Sequence, residues 1–331
     1  MITFIAKRLA AAVGILLVLA AVVFLLQQLT PADPVRAMLG ANASPERVAE
    51  QRAKLGYDQP LPQQYLRYVG GLFQGDMQMS LRTRRPVTTD LKDFLPATLE
   101  LAFWGVVMAV ALGLVLGVVT AARFKGGGAL RVVLVGLSSA PVFLLALLGI
   151  LLFYRQLGWL PATGRTGFKD FHGPTGFLTF DALISFRFDV LADAFWHLIL
   201  PAFCVAIAPA VAIGRVLRSS LVTTMGGDYV RTARMKGLRE RSVLMRHALR
   251  NSAGPALSMT GLQVGLMFAG VVVIESIFAW PGIGFYTVQS IPRNDFPAIA
   301  GVTLVLGVGY VLVNMLVEIA QAAADPRLAL R

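Results

Sequence analysis

The side chains that could do chemistry in this sequence are few and scattered. Three histidines, His172, His197 and His247, fall in three separate segments with neither H-x-x-x-H nor E-x-x-H spacing. They do not form the paired ligands that a zinc site needs. The one cysteine, Cys204, lies in an apolar run, which excludes an intrachain disulfide and a thiolate cluster. No G-x-x-x-x-G-K-[ST] run occurs; Gly126-Gly127-Gly128 follows Lys125 and leads to no such motif, so no phosphate-cradling loop is present. Within apolar stretches the acids are Glu100, Glu275 and Glu318, each towards one end. A proton- or ion-coupled carrier keeps such groups near the bilayer midplane, where a charge costs at least about 2.5–3.5 kcal/mol. Two polar stripes remain. Gln263, Met267 and Gly270 share one helical face, as do Tyr310, Asn314 and Glu318. Such stripes suit a pore lining, and hydrogen bonding between helices, at about 0.6 kcal/mol each, accounts for them equally well. Asp193 and His197 lie one turn apart at the start of the fourth apolar stretch and are read as capping and anchoring that helix rather than touching substrate.

The elements that carry these residues follow from composition. Hydrophobic residues make up 56% of the 331 and charged residues only 15%, against about 25% in a soluble domain. Mean hydropathy is +0.69. No single aqueous core hides that much apolar surface. A net charge of +12 would suit nucleic acid in a soluble protein, but here it suits a cytoplasmic lipid surface. A bilayer core about 30 Å thick takes roughly 20 apolar residues as helix. Six stretches qualify: about 10–29, 97–122, 129–154, 194–217, 255–279 and 297–323. The first is too long for a signal-peptide core and no A-x-A-like site follows it. Pro96 is expected to open the second span. Pro141, Pro201 and Pro209 lie inside spans, which predicts kinked helices packed in a bundle. Gly113 with Gly117, and Gly261 with Gly265, allow close packing.

Lys7 and Arg8 precede the first span, and Arg123, Lys125 and Arg131 fill the link between the second and third. Nine basic residues between Arg215 and Arg250 face only Asp228 and Glu240, and the tail carries Arg327 and Arg331. All of these are placed on the cytoplasmic side, with both termini inside. The opposite side receives 30–95, 155–193 and 280–296, nearly balanced at fourteen basic to twelve acidic residues. In the first of these, Ser44-Pro45-Glu46 reads as a helix start and Gly56 as its stop. A second short helix is expected over about Pro62–Leu72. The aromatic-rich segment 155–193 reads as a lipid-interface anchor or a docking face.

The long link 218–254 between the fourth and fifth spans is not a plain tether. Asp228 is positioned to cap a helix Tyr229–Lys236, Gly237 to end it, and Arg241–Asn251 to form a second basic helix. Tyr229, Ala233 and Lys236 share a face, and the small residues let another protein approach closely. A basic surface helix held by anionic lipid is the competing reading.

At these residues the sequence resembles a known family. Arg231-Thr232-Ala233-x-x-Lys236-Gly237-Leu238, followed by His247-Ala248-Leu249-Arg250-Asn251, is similar to the "EAA" loop of ABC importer permeases, in the dipeptide/oligopeptide/nickel branch. Further matches are Leu29-Thr30-Pro31-x-Asp33-Pro34-Val35-Arg36, the stretch from Leu55-Gly56 to Tyr65, Pro96-Ala97-Thr98-Leu99-Glu100-Leu101, Glu275-x-x-Phe278-x-Trp280-Pro281-Gly282-x-Gly284, and Asp325-Pro326-Arg327. The general loop pattern ends in Leu-Pro, whereas here Leu249 precedes Arg250 and the next proline is Pro255.

The resemblance implies an all-α membrane protein of six transmembrane helices, with a type I ABC importer permease fold and an extracytoplasmic insertion after helix one. Its parts would be a first span (1–29), an extracytoplasmic region (30–95), a five-helix core (96–324) containing the coupling loop, and a cytoplasmic tail (325–331). It implies a non-catalytic subunit of a bacterial inner-membrane importer for di- or oligopeptides, acting with a second permease, two ATPase subunits and an extracytoplasmic binding protein. A permease of the same type for nickel, glutathione or another small solute, and a stand-alone carrier, are the alternatives. The chain itself would hold no cofactor and no metal; ATP and magnesium would sit on the ATPases, with membrane lipid but no nucleic acid as a further partner. Asp228, Tyr229, Arg231, Thr232, Ala233, Lys236, Gly237 and Leu238 would couple to an ATPase subunit. Gln263, Met267, Gly270, Tyr310 and Asn314 are the pore candidates. Glu275, Trp280, Pro281, Gly282 and Gly284 are the outer-gate candidates.

Overall fold

Apolar runs of this length can satisfy their backbone groups only as helices, and helices are what forms. The computed structural model describes residues 2–29, 34–39, 43–121 and 127–324. Thr30, Pro31, Asp33, Arg123, Lys125, Asp325, Pro326, Arg327 and Arg331 lie outside the described residues, as do the side chains of Lys7 and Glu318. Helix α1 (Ile2–Gln28) is followed by α2 (Pro34–Leu39), α3 (Pro45–Leu55), α4 (Leu61–Phe73) and α5 (Val87–Ala121). Next come α6 (Gly127–Ser138), α7 (Val142–Gly149) with a π-helical continuation (Ile150–Gln156), α8 (Leu178–Ile184) and α9 (Phe188–Met225). Then follow α10 (Asp228–Met235), α11 (Glu240–Ser242), a π-helical stretch (Val243–Ala248) and α12 (Leu249–Ile277). Helices α13 (Ile283–Ser290) and α14 (Phe296–Ala324) end the series. Among the described residues the sole β-pairing is an isolated bridge between Met79 and Pro86. Among the described residues five helices are long and apolar enough to cross a membrane, and a bent pair brings the number to six when it is taken as one span.

The bent pair is where the observed architecture departs most from the expected one. The third span is not one kinked helix: α6 and α7 meet at 110°. Pro141 has no N–H to give, and the Ser138 and Ser139 hydroxyls both donate to the Val135 carbonyl, at 2.9 Å each. These local bonds compete with the helical ladder at the break. The second span also differs. It starts at Val87, and Pro96 sits inside it, because Val87, Asp90 and Leu91 bury one face of an extra two turns. The fourth span is extended at both ends, to Phe188 and Met225. In the segment between the first two spans the cap residues behave as expected. The Ser44 hydroxyl accepts from the Arg47 N–H at 3.4 Å, and Gly56 stops α3 at φ 72°.

By contacts the chain divides into two compact units, Met1–Leu95 with Ile283–Val311, and Pro96–Gly282 with Leu312–Arg331. In the second unit α9 is the central post, with Ile207, Ile213, Leu217 and Leu221 buried. A Cβ at Gly113 would lie 2.9 Å from Ile213, one at Gly117 2.8 Å from Leu217, and one at Gly214 2.9 Å from Leu116. The close-packing expectation for Gly113 and Gly117 is therefore met: α5 and α9 cross on glycine. Gly261 and Gly265 of α12 are buried too. The first unit has its own core, with Val87, Leu91, Ile283, Tyr286, Ala298 and Val302 buried together.

Candidate functional site

Helix α10 is short, basic and bounded by glycines. Gly227 is its N-cap, with extended backbone and no side-chain cap. Asp228 is not the cap expected; it is the first helical residue, where a carboxylate favours the positive end of the helix. Gly237 stops the helix at φ 76°, with nothing within 4 Å of where a Cβ would stand. Val230 and Ala233 are buried and pack with Val243 and Met225. The shared face expected for Tyr229, Ala233 and Lys236 is thus divided, because Ala233 turns inward onto the chain's own next segment. The outward surface is Asp228, Tyr229, Arg231, Thr232, Arg234, Met235, Lys236, Gly237 and Leu238, with Met235 77% exposed. Arg234 ties this helix to Glu240 at 2.7 Å, and that bond holds its guanidinium pKa above the ordinary value. Water and salt screen an exposed pair of this kind, so it adds little to stability. Ser252 donates to Thr224 at 2.9 Å, pinning the end of α9 to the start of α12. The second basic helix expected over Arg241–Asn251 is not separate; it runs into α12 without a break.

On α12, Gln263, Met267 and Gly270 are brought together as their spacing requires. All three line a cavity of about 180 Å³, opposite Ser138 and Ala140 at the break in the third span and Cys204 on α9. Broken backbone at membrane depth is tolerated where it borders such a cavity. Gly270 has open space at its Cβ position. Tyr310 and Asn314 lie on α14, Tyr310 exposed and Asn314 half-buried; neither is in that lining.

The outer-gate candidates cluster at the end of α12. Glu275 and Trp280 are buried. The Trp280 indole N–H donates to the Ala97 carbonyl at 2.9 Å. Ala279 takes φ 45°, a left-handed conformation rare for a residue with a Cβ, and Gly282 lies directly against the Glu275 carboxylate. Gly284 is buried at the start of α13. The Gly164 N–H donates to the Phe278 carbonyl at 2.9 Å, so the segment before α8 is stitched to this turn.

Sequence reasoning missed the charges that hold that segment. Arg165 pairs with Glu100, which is itself buried. Glu100 also accepts from the Thr179 N–H and hydroxyl, both at 2.6 Å. The Arg165 guanidinium lies 5.7 Å from the Trp280 ring centre. A lone acid at the start of an apolar span signals a buried partner, but nothing local names Arg165. Asp193 is not a cap. It accepts from the Thr166 hydroxyl at 2.6 Å and the Gly167 N–H at 2.7 Å, while His197 Nδ1 lies 2.9 Å from the Asp193 carbonyl. In the first unit, buried Asp90 accepts from Tyr286 at 2.9 Å, and buried Asp295 accepts from Ser80 and from the Arg82 N–H.

Long apolar helices, one span of them broken beside a cavity, with a short basic helix in the link between two others, suit a component of a membrane transport system. Residues 109–330 match the family described as binding-protein-dependent transport system inner membrane component, and residues 1–102 match its N-terminal counterpart. The chain belongs to this family. It is 40% identical to a di/tripeptide transport system permease protein of Pseudomonas aeruginosa, over 99% of both chains. It is 35% identical to a dipeptide transport system permease protein of Alkalihalophilus pseudofirmus, also over 99% of both. A probable D,D-dipeptide transport system permease protein of Escherichia coli is 40% identical over 95% of both.

Proposed function

We propose that this chain is one of two permease subunits of an ABC importer for short peptides. An extracytoplasmic binding protein delivers the peptide, and two ATPase subunits drive the change of access. The observation that carries the reading is α10. Its inner side is closed by Val230 and Ala233, while its outer side presents Met235 and Leu238 among basic residues, a surface made to seat in another protein's groove. The uncharged cavity beside Gln263, Met267 and Gly270 supports a path that discriminates little between side chains. The relatives' names supply the peptide class. Both termini and the 218–254 link are assigned to the cytoplasm on the lysine and arginine bias. ATP and magnesium belong to the partner ATPases.

The test is reconstitution in proteoliposomes with the neighbouring permease, ATPase and binding-protein genes. Uptake of a labelled dipeptide should require all the subunits, with the binding protein outside and ATP inside. Uptake without ATPases, or driven by a proton gradient alone, would show a stand-alone carrier.

A further inference from the structure

The first unit has an open cleft of its own, of about 290 Å³, close to the smallest small-ligand sites. Its walls come from the end of α1, the α3–α4 turn, α4, the 76–81 segment and the 294–297 turn. Three features of the wall point to one ligand chemistry.

Amides come first. Gln27 donates to the Gln78 carbonyl at 3.0 Å. That bond uses one half of each side chain and leaves a carbonyl on Gln27 and an NH₂ on Gln78. One acceptor beside one donor is the complement of a peptide group. Asn294 adds a third amide to the same wall. Charge comes second. Arg67 and Asp76 both line the cavity. Arg67 donates to Gln59 at 3.0 Å, Asp76 accepts from the Gln78 N–H at 2.9 Å, and among the described residues neither is in an ion pair. A free cation and a free anion on one cavity suit a ligand with a carboxylate and an ammonium group. Strain comes third. Gln78, an amide of this wall, is held left-handed at φ 65°, a conformation that costs energy and gathers where a ligand is clamped. Asn294 (φ 51°) ends the 291–293 turn in the same region, which asparagine tolerates. Phe24 and Tyr68, 5.8 Å apart, provide an apolar wall, and burial pushes the Tyr68 phenol up to about 12.

We infer that this cavity is a receiving site for a short zwitterionic peptide on the permease itself, separate from the cavity on α12. The inference rests on the peptide reading above. A phospholipid headgroup shares the zwitterion, but phosphate recognition favours several guanidinium groups, and here the wall is mostly amide.

The experiment uses the full complex in nanodiscs, without binding protein, and alanyl-photoleucine as the photoreactive probe. Irradiation and peptide mapping should place label on segments holding Phe24, Tyr57 or Tyr68. Unlabelled dialanine should compete, and its N-acetylated amide should not. Arg67→Met and Asp76→Asn, in complexes that assemble normally, should each weaken labelling about tenfold, as loss of a charged hydrogen bond would. Gln78→Gly relieves the strain but removes the amide, and should also weaken it. Label confined to α9 and α12, or competition by phosphatidylethanolamine but not by dialanine, would overturn the site. If proteoliposomes take up dipeptides while the first unit stays unlabelled, the site fails and the importer reading stands. If neither uptake nor labelling occurs, the importer reading fails and the site falls with it.

Discussion

Arg165, Glu100 and Gly237 show what single residues contribute. Glu100 is buried with its charge, so it is stable only while Arg165 and the two Thr179 donors face it. Removing one partner of a buried pair costs about 3–5 kcal/mol, whereas replacing both can be nearly neutral. Arg165→Met should therefore lower the unfolding temperature in detergent by more than Arg165→Met combined with Glu100→Gln. Equal losses would mean the pair contributes only its packing. Gly237 is a different case. Space is open around it, but φ is 76°, and a Cβ in that conformation costs about 1–2 kcal/mol. Gly237→Ala should fray α10 and weaken the attachment of ATPase subunits, and Gly237→Asn should do so less, since Asn tolerates that conformation. Gly237 was legible in the sequence because a helix stop is a local event. The Arg165–Glu100 pair was not, because its partners lie 65 residues apart and no spacing rule joins them.

Among the elements, α10, the broken third span and α12 decide the account. The periodicity of 228–238 gave the helix and its end, but could not give its inner side, which is set by Val243 arriving from the following segment. That shifts the expected contact. Ala233→Trp should disrupt the chain's own packing, while Met235→Asp should leave it folded and reduce co-purification of the ATPase subunits. Hydropathy is equally blind to the 110° bend, since a broken span and a straight one are both apolar. Yet the bend is what brings Ser138 and Ala140 to the cavity that Gln263, Met267 and Gly270 line. Gly270→Trp, placed in open space, should abolish peptide uptake with assembly unchanged. Uptake at the wild-type rate would show that this face does not border the path.

The whole molecule is two compact units that interleave along the chain, the first taking in 283–311 as well as its first 95 residues. A serial reading of composition finds spans and loops, and here it found six spans, but it cannot see that a late segment completes an early core. Tyr286 and Asp295 do so through Asp90, Ser80 and Arg82. The proposed sidedness rests on the basic links. In a Cys204→Ala background, an impermeant thiol reagent on intact cells should label a cysteine at Ser44 but not one at Gly127 or Arg239. In the proposed importer, ATP hydrolysis on partner subunits is coupled to peptide delivery through α10. ATP hydrolysis by the reconstituted complex, with and without peptide-loaded binding protein, reads that coupling in the wild type and in Met235→Asp. The wild type should be stimulated by the loaded binding protein. Met235→Asp should lose most of that stimulation while the binding protein still docks. Stimulation equal to the wild type in that variant would contradict the account.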